Sequence, residues 1–410
     1  MNRPLILVLA AIVGCSRPGP PPAPEPVTVT AEGKAVAAAN NRFAFDFYGK
    51  LREKPGNVFV SPLSLHAALS MTAAGANGQT LAEMRKVLHL PAAPDAGYAN
   101  LLAAAVGDRP GYQLRTANAV WGQTGYPWRP TFTGRLTAGF GAPLKEADFQ
   151  MQPDAERLRI NAWAEEQTSG RIKDLIAEGM IDARFRMVLV NAVYFKGEWA
   201  EQFDAKRTRP APFTRSDGSK ADVPMMNREG GFRVFAERSP GAWEPNFWVA
   251  ELPYKGGEVS LVLVVPGRPD GLLALETRLS PEVLDGWLAA AVSEERAELA
   301  LPKFKLETKY LEMASKPGPL HALGMPTAFD PGRTDFTAMH SGTEQLYIAF
   351  VVQKAFVEVN EEGTVAAAAT AVGVSLTSAS PSYRADRPFR FLIRHNPTGA
   401  ILFLGRYAGP

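Results

Sequence analysis

Apolar residues recur along the first half of the chain at intervals that predict helices. Phe43, Phe47 and Leu51 stand four residues apart, as on one face of a helix. Ser61-Pro62 is a cap followed by proline and begins a second helix, which Gly75 is expected to close. Three more helices are predicted after a capping-box pattern at 80–83, over 154–163 and over 281–288.

Later apolar runs lack helical spacing and predict strands. Those over 187–195 and 259–265 are typical of strands buried on both faces. A long strand is predicted over 346–359, and the segments 389–394 and 401–406 flank a turn, which indicates a terminal β-hairpin. Helices come first and strands later, without regular βαβ alternation. The pattern therefore predicts an α+β fold, as one large domain over 35–410.

The N-terminus differs from this body. Arg3 and the apolar run over 5–13 are typical of a secretory signal, because the run is shorter than the ~20 residues that span a bilayer. Residues 12–15 (Ile-Val-Gly-Cys) resemble a bacterial lipobox, which implies cleavage before Cys15 and lipid on its sulfur. The alternative is an ordinary signal with a stray cysteine. We divide the chain into a signal peptide (1–14), a lipidated, proline-rich linker (15–34) and the domain (35–410).

The resulting expectation is an exported protein, lipid-anchored to a bacterial membrane or extracellular. Ser16 after the cysteine favours, by analogy, the outer membrane. Because proline at this density forms neither helix nor central strand, the linker is expected to be an extended spacer that holds the domain clear of the lipid.

Composition excludes several functions. The 410 residues are 46% apolar and 21% charged, which excludes a disordered chain, and a net charge of +2 is too small for general attraction to nucleic acid. One cysteine excludes an internal disulfide and a cysteine zinc site. No metal or cofactor is expected. Nucleophile-elbow, phosphate-loop and zinc-protease motifs are absent, and Ser64 and His66 would face different ways on a helix, so no enzyme is predicted.

The segment 363–383 carries no charge over 21 residues and consists mostly of small side chains. Its seven Ser/Thr residues, with Gly373 and Pro381, argue against a membrane helix. An alanine-rich helix and a flexible loop are the alternatives, but neither explains its position between a long strand and a terminal hairpin. Loops of this length inside a domain tend to be functional.

Here the sequence resembles a known family. Residues 359–370 (VNEEGTVAAAAT) look like the hinge of an inhibitory serpin, and further serpin-like motifs keep the family order at 57–64, 75–80, 191–199, 301–305, 335–336 and 386–406. The resemblance implies a serpin fold, a single domain with about nine helices, three β-sheets and an exposed reactive-centre loop. It also implies a monomeric suicide inhibitor of serine proteases. The protease cleaves the loop and becomes trapped as an acyl-enzyme when the loop inserts into the large sheet.

The resemblance assigns roles to named residues. Trp199 matches the tryptophan of the breach, where insertion begins, although a large core aromatic would occupy that position in any case. Gln353 stands where the family often has histidine. Glutamine both donates and accepts, so hydrogen bonding there is expected to survive. The shutter, where the sheet parts, comprises Ser61, Ser64, Asn191 and Gln353. The hinge comprises Glu361, Glu362, Gly363, Thr364, Val365, Ala366, Ala367, Ala368, Ala369 and Thr370.

Two counts place the reactive bond. In the family the cleaved bond follows the seventeenth residue when Glu361 is counted as the first, and this residue is Thr377. Counting back twelve residues from Phe389 also gives Thr377, so the bond is Thr377-Ser378, with Leu376-Thr377 the main competitor. Threonine suits an elastase-like or subtilisin-like primary pocket, and the absence of Lys and Arg from 363–383 argues against trypsin-like targets. The even-numbered positions 364–376 are uncharged, as burial of alternate residues in a sheet requires.

Two other functions remain open. A non-inhibitory serpin acting as a binding module is the alternative, although such members often carry bulky or charged hinge residues. A membrane-anchored hydrolase is disfavoured by the missing motifs. The sequence does not identify the physiological protease, and no dense Lys/Arg cluster marks a polyanion site.

Overall fold

Helices begin where the sequence supplies caps. In the computed structural model, which describes residues 27–242, 244–364 and 381–410, the hydroxyls of Thr30, Ser61 and Ser280 each accept a backbone N–H from the first turn. The α-helices of these residues are α1 (Ala31–Leu51), α2 (Pro62–Ala73), α3 (Gly78–Val87), α4 (Pro94–Ala105), α5 (Pro130–Phe140), α6 (Pro153–Gln167), α7 (Leu272–Arg278), α8 (Pro281–Ala290) and α9 (Pro319–Leu323). Helix α1 therefore starts inside the segment assigned to the linker.

The strands form two hydrogen-bonded sheets. They are β1 (Val58–Val60), β2 (Gly107–Arg109), β3 (Tyr112–Gln123), β4 (Lys145–Ala147), β5 (Met187–Glu198), β6 (Arg209–Thr214), β7 (Lys220–Glu237), β8 (Phe247–Pro253), β9 (Val259–Pro266), β10 (Val292–Pro302), β11 (Phe304–Met313), β12 (Phe350–Val359), β13 (Gly363–Thr364), β14 (Ser382–Arg384), β15 (Phe389–His395) and β16 (Ile401–Tyr407). The expected C-terminal hairpin is the antiparallel pair β15–β16.

The sheet that contains the hinge, which we call the hinge sheet, has the order β11-β12-β5-β3-β2, with β13 beside β5 and β4 beside β3. The other, the core sheet, has the order β1-β16-β15-β9-β8-β7-β10-β14, with β6 beside β7. Strand β7 is 18 residues long and pairs with β6, β8 and β10. Two of the three sheets expected for the fold therefore share one continuous ladder.

Strand β5 contributes to two apolar clusters because alternate side chains of a strand point to opposite faces. Val193 and Phe195 belong to the main core, whereas Val188 and Val190 belong to a smaller cluster with Ile160 of α6. This double burial explains the nearly continuous apolar run over 187–195. It also places β5, the neighbour of the hinge, at the centre of the molecule.

Three local predictions were wrong in detail. Helix α2 ends at Ala73 with Ala74 as its C-cap, before Gly75, and β12 begins at Phe350 instead of 346. The residue that precedes α3 is Asn77, three residues before Thr80, and the hydroxyl of Thr80 instead accepts the backbone N–H of Asp335. At Thr80 a partner 255 residues away displaced the local pattern.

Within the residues described above, no helix combines the length and apolar character needed to cross a bilayer.

Candidate functional site

A tight turn after β12 reverses the chain at the predicted hinge. The side-chain oxygen of Asn360 accepts the N–H groups of Glu362 (3.1 Å) and Gly363 (3.2 Å), and the N–H of Asn360 donates to the carbonyl of Gly363 (2.9 Å). Gly363 has φ +156°, and a Cβ there would lie 2.0 Å from the carbonyl oxygen of Gly197. Only glycine allows this approach of two backbones.

The turn delivers β13 to the edge of β5. Gly363 lies opposite Glu198 and Thr364 opposite Gly197, in antiparallel register. Thr364 is fully buried, and its hydroxyl lies 2.8 Å from the hydroxyl of Tyr254. We expected Thr364 to enter the sheet only after cleavage. In the structure it already lies there, because its backbone pairs with Gly197 of β5 and its hydroxyl meets that of Tyr254.

Trp199 packs against this turn and donates hydrogen bonds to it. Its indole stacks on Tyr254 with ring centres 4.6 Å apart, and its Nε1–H donates to the carbonyl of Asn360 (2.9 Å). Its backbone N–H donates to the carbonyl of Glu362 (2.9 Å), and that of Phe203 donates to the carbonyl of Glu361 (2.8 Å). The tryptophan assigned to the breach therefore contacts the start of the hinge directly.

Glu361 anchors the hinge electrostatically. Its carboxylate accepts from Lys303 (3.0 Å) and from the hydroxyl of Thr208 (2.9 Å). Burial opposes its ionisation, but hydrogen bonds from Lys303, from its own backbone N–H and from Thr208 outweigh burial and hold the pKa of Glu361 below its ordinary value. The glutamate is therefore ionised at neutral pH and fixes one end of the turn.

The four residues assigned to the shutter form a connected network. Gln353 on β12 accepts the backbone N–H of Ser61 (3.0 Å) and donates to the Ser61 carbonyl (2.9 Å) and to the side-chain oxygen of Asn191 (2.7 Å). Asn191 on β5 donates to the hydroxyl of Ser64 (2.7 Å). Glutamine at 353 thus makes the bonds that the sequence led us to expect, and it joins β12, β5 and α2.

Asn118 on β3 completes this network, and sequence reasoning missed it. Its side-chain oxygen accepts from Ser64 (2.9 Å) and from Asn191 (2.8 Å). Tyr254 and Lys303, the partners of Thr364 and Glu361, were also missed. These three residues stand outside the hinge segment, and no local pattern links any of them to it. Only the register of the sheets brings them together.

The seam between β5 and β12 is short. These parallel strands pair only where Lys354–Phe356 face Ala192–Tyr194, whereas β3 pairs with β5 from Tyr112 to Gly122. Beyond the paired segment, toward the C-terminal end of β5, β13 lies beside β5. Immediately before the paired segment, the side chains of Gln353 and Asn191 form a hydrogen bond between the two strands. Few backbone hydrogen bonds therefore oppose separation of β5 from β12.

Several assigned residues lie outside the described residues: Cys15, the rest of the hinge (Val365, Ala366, Ala367, Ala368, Ala369 and Thr370) and the reactive bond at Thr377 and Ser378. In the described part of the chain, no group of three His, Cys, Asp or Glu side chains is arranged to hold a metal ion. The site is therefore built from backbone pairing and neutral hydrogen bonds around one anchored carboxylate.

Known proteins share this architecture. A family model described as "Serpin (serine protease inhibitor)" matches residues 38–410. The leukocyte elastase inhibitors of Sus scrofa and Homo sapiens are 39% and 36% identical over 386 and 387 residues, and each comparison covers 92% of this chain and 99% of the relative. The structure of uncleaved ovalbumin has a TM-score of 0.81 at 30% identity, and a loop-inserted structure of a cleaved ovalbumin mutant has 0.80 at 27%; both comparisons cover 92% of this chain and 100% of the other.

Proposed function

Because this chain belongs to the serpin family, we propose that it acts as a monomeric, single-use inhibitor that traps serine proteases by inserting its cleaved loop into the hinge sheet. The protease serine attacks the carbonyl carbon of Thr377, the bond to the Ser378 nitrogen breaks, and that nitrogen takes a proton. The acyl ester then holds the protease on the loop. Inhibition succeeds when insertion is faster than hydrolysis of that ester.

The observation that carries this proposal is the position of β13. The hinge already pairs with β5, immediately before the segment that a protease would cleave. Continued in the same register, each following residue would pair one step further down β5, and Val374 would face Met187, the first residue of the strand. Strand β5 therefore offers pairing partners along nearly the whole inserted segment.

The short seam supports the same mechanism. Insertion requires β5 and β12 to part, which breaks the pairing at Lys354–Phe356 and the bond from Gln353 to Asn191. The new strand would form backbone hydrogen bonds to both neighbours, far more than are lost. The uncleaved state is thus a store of free energy that cleavage releases.

The target is proposed from the loop sequence and the relatives. Thr377 is small and uncharged, which suits an elastase-like or subtilisin-like primary pocket, and the relatives compared above are named leukocyte elastase inhibitors. Incubating the protein with elastase and subtilisin should yield a covalent complex that survives a denaturing gel. Cleavage of the loop without such a band would instead favour the binding-module alternative.

Thr377→Arg should redirect inhibition toward trypsin. A trypsin-like pocket prefers a cationic side chain, so the rate of trypsin inhibition should rise by at least about 100-fold while that of elastase falls. The measurements are association rates for both enzymes and sequencing of the released C-terminal peptide, which should begin at Ser378. Ser375→Arg is the matched control and should leave both rates nearly unchanged. A peptide that begins at Thr377 would move the reactive bond to Leu376-Thr377.

We also propose that the protein is exported and lipid-anchored through Cys15, in a bacterial outer membrane. The relatives compared above come from animals, so this rests on the N-terminal sequence alone. Residues 12–15 resemble a lipobox, and the proline-rich segment before Val27 would hold the domain clear of the lipid.

Mass spectrometry of the mature protein should find diacylglycerol on Cys15. Cys15→Ala should abolish that modification and move the protein out of the membrane fraction, whereas Ser16→Ala should change neither. A mature wild-type chain that starts beyond Cys15 and carries no lipid contradicts the anchor while leaving the inhibitory function intact.

A further inference from the structure

A cavity lies at the base of the hinge sheet, where β5 and β12 do not pair with each other. Before β12 the chain over 346–349 runs outside the sheet. The N–H of Ile348 donates to the carbonyl of Ala328 (2.9 Å), and the carbonyl of Ala349 accepts from the N–H of Ala314 (2.9 Å). The space between the start of β5, the end of β11 and this segment, which we call the base cavity, has a volume of about 550 Å³.

The base cavity is lined by apolar side chains that remain accessible. Tyr347 is 43% exposed. Seven further apolar side chains of the lining are partly exposed: Met180, Phe185, Met187, Leu189, Met313, Leu346 and Phe350. Three of them are methionines, whose flexible side chains fit irregular shapes and whose sulfur atoms make favourable contacts with aromatic rings. The wall therefore offers thioether and aromatic surface to a ligand.

The charged groups of this lining do not call for a charged ligand. Arg184 donates to Asp182 (2.6 Å), and Arg186 donates to both carboxylate oxygens of Glu344 (2.8 Å each). Glu178, the remaining charged residue of the lining, is exposed to solvent. Because these charges are paired or hydrated already, an ion entering the cavity would lose its own hydration without gaining a partner. An uncharged ligand avoids that cost.

We propose that the base cavity binds an uncharged, flat aromatic molecule of a few fused rings, and that this ligand competes with the cleaved loop for the same space. The volume of the cavity lies within the range of small-molecule sites, about 300–1,000 Å³. The rings of the ligand would pack against the methionine and phenylalanine side chains of the wall. They would displace water, which finds few polar partners on such a surface.

The competition follows from the register of β13 and rests on the proposed inhibitory function, whereas binding itself does not. Continued in that antiparallel register, Val372 would face Leu189. Val374 would likewise face Met187. Residues opposite each other in a sheet point to the same face, and both Leu189 and Met187 line the base cavity. Insertion would therefore place two valine side chains where the ligand lies, so the ligand should bind the uncleaved chain and be expelled from the loop-inserted chain.

Nile red, an uncharged dye of fused rings that fluoresces in apolar surroundings, is the probe for this site. Titration of the uncleaved wild-type protein should saturate at one dye molecule per chain. Met187→Trp fills part of the cavity and should weaken binding about tenfold or more, and Met313→Trp should do the same from β11 if the first variant does not fold. Met151→Trp is the matched control and should leave binding unchanged, because Met151 is 79% exposed and lies outside the lining. Wild-type protein cut in its reactive loop by papain should lose the dye.

Each failure of this experiment has a distinct meaning. The site is wrong if binding does not saturate at one dye molecule per chain, or if the cavity variants bind the dye as tightly as Met151→Trp. The competition is wrong if the cut wild-type chain binds the dye as tightly as the uncut chain. The covalent complex with elastase or subtilisin is measured separately, without dye. Its absence beside site-specific dye binding contradicts the proposed function and leaves the site standing, and its formation by a chain that binds no dye does the reverse.

Discussion

Thr364→Arg should convert the inhibitor into a substrate. Thr364 is buried against Tyr254 between β5 and β12, and arginine there would have to leave the sheet or bury an unpaired charge at a cost of several kcal/mol. Protease attack at Thr377, thirteen residues away, should hardly change. Because each ~1.4 kcal/mol slows insertion about tenfold, the acyl ester should hydrolyse first. The number of inhibitor molecules consumed per protease trapped should rise from about 1 to well above 10.

Two neighbouring variants separate this effect from a general loss of structure. Val365→Arg adds the same charge one residue later, on the opposite face of the inserting strand, and should keep a ratio near that of the wild type. Thr364→Ser keeps the hydroxyl that meets Tyr254 and should also inhibit. Thr364→Arg should in addition lose the large rise in melting temperature that follows loop cleavage. If Thr364→Arg traps protease as efficiently as Val365→Arg, the loop does not insert in this protein.

Acidification from pH 7 to pH 5 should destabilise the protein by about 4 kcal/mol through two buried histidines. Burial lowers the pKa of His66 to about 4, and burial, together with Arg109 and Arg394, lowers the pKa of His395 to about 4. The ordinary pKa of histidine is near 6.5, so below that pH the two histidines bind protons in the unfolded chain but not in the folded chain. Stability is therefore complete above about pH 6.5 and falls toward pH 4, by about 2 kcal/mol per histidine at pH 5.

His66 shows why its protonation is resisted. Its Nε2–H donates to the carbonyl of Leu88 (2.8 Å), so its Nδ1 is unprotonated and accepts from the hydroxyl of Tyr98 (2.6 Å). That hydroxyl accepts in turn from Ser70 (2.6 Å). A proton on Nδ1 would reverse this chain of hydrogen bonds inside the main core.

Chemical unfolding at pH 7, 6 and 5 measures the acid effect. His66→Gln can keep both hydrogen bonds without titrating, and combined with His395→Asn it should remove most of the loss between pH 7 and pH 5. His89→Gln removes a partly exposed histidine that contacts Asp46 and has the smallest of the effects on the pKa of His66, so most of the loss should remain. An unchanged acid loss in the double variant would assign it to other groups.

The shutter shows which part of a hydrogen-bond network can be predicted from the chemistry of its residues. That Gln353 can replace a histidine follows from its having both a donor and an acceptor, and the structure provides partners for each. Its partners could not be read from the chain, because Ser61 is 292 residues away and Asn191 is 162. No feature of the sequence around Asn118 predicted its role, because within β3 it is one polar residue of an alternating strand. It belongs to the shutter network only because Asn191 lies opposite it in the paired strand β5.

By itself, the sequence determined the helices that start at Ser61 and Ser280, the apolar strands β5 and β9, the terminal hairpin and the uncharged loop after Glu362. Those features depend on side-chain spacing and on hydrogen bonds between residues a few positions apart, and both can be recognised in a short stretch of sequence. Tertiary structure alone decided that Thr364 lies in the sheet before cleavage, that Thr80 binds Asp335 instead of capping its own helix, and that Arg390 and Glu276 come to line one cavity. These outcomes depend on contacts between residues more than 100 positions apart. The free energy of these long-range contacts exceeds that of the local conformational preferences only after the strands have paired in their final register.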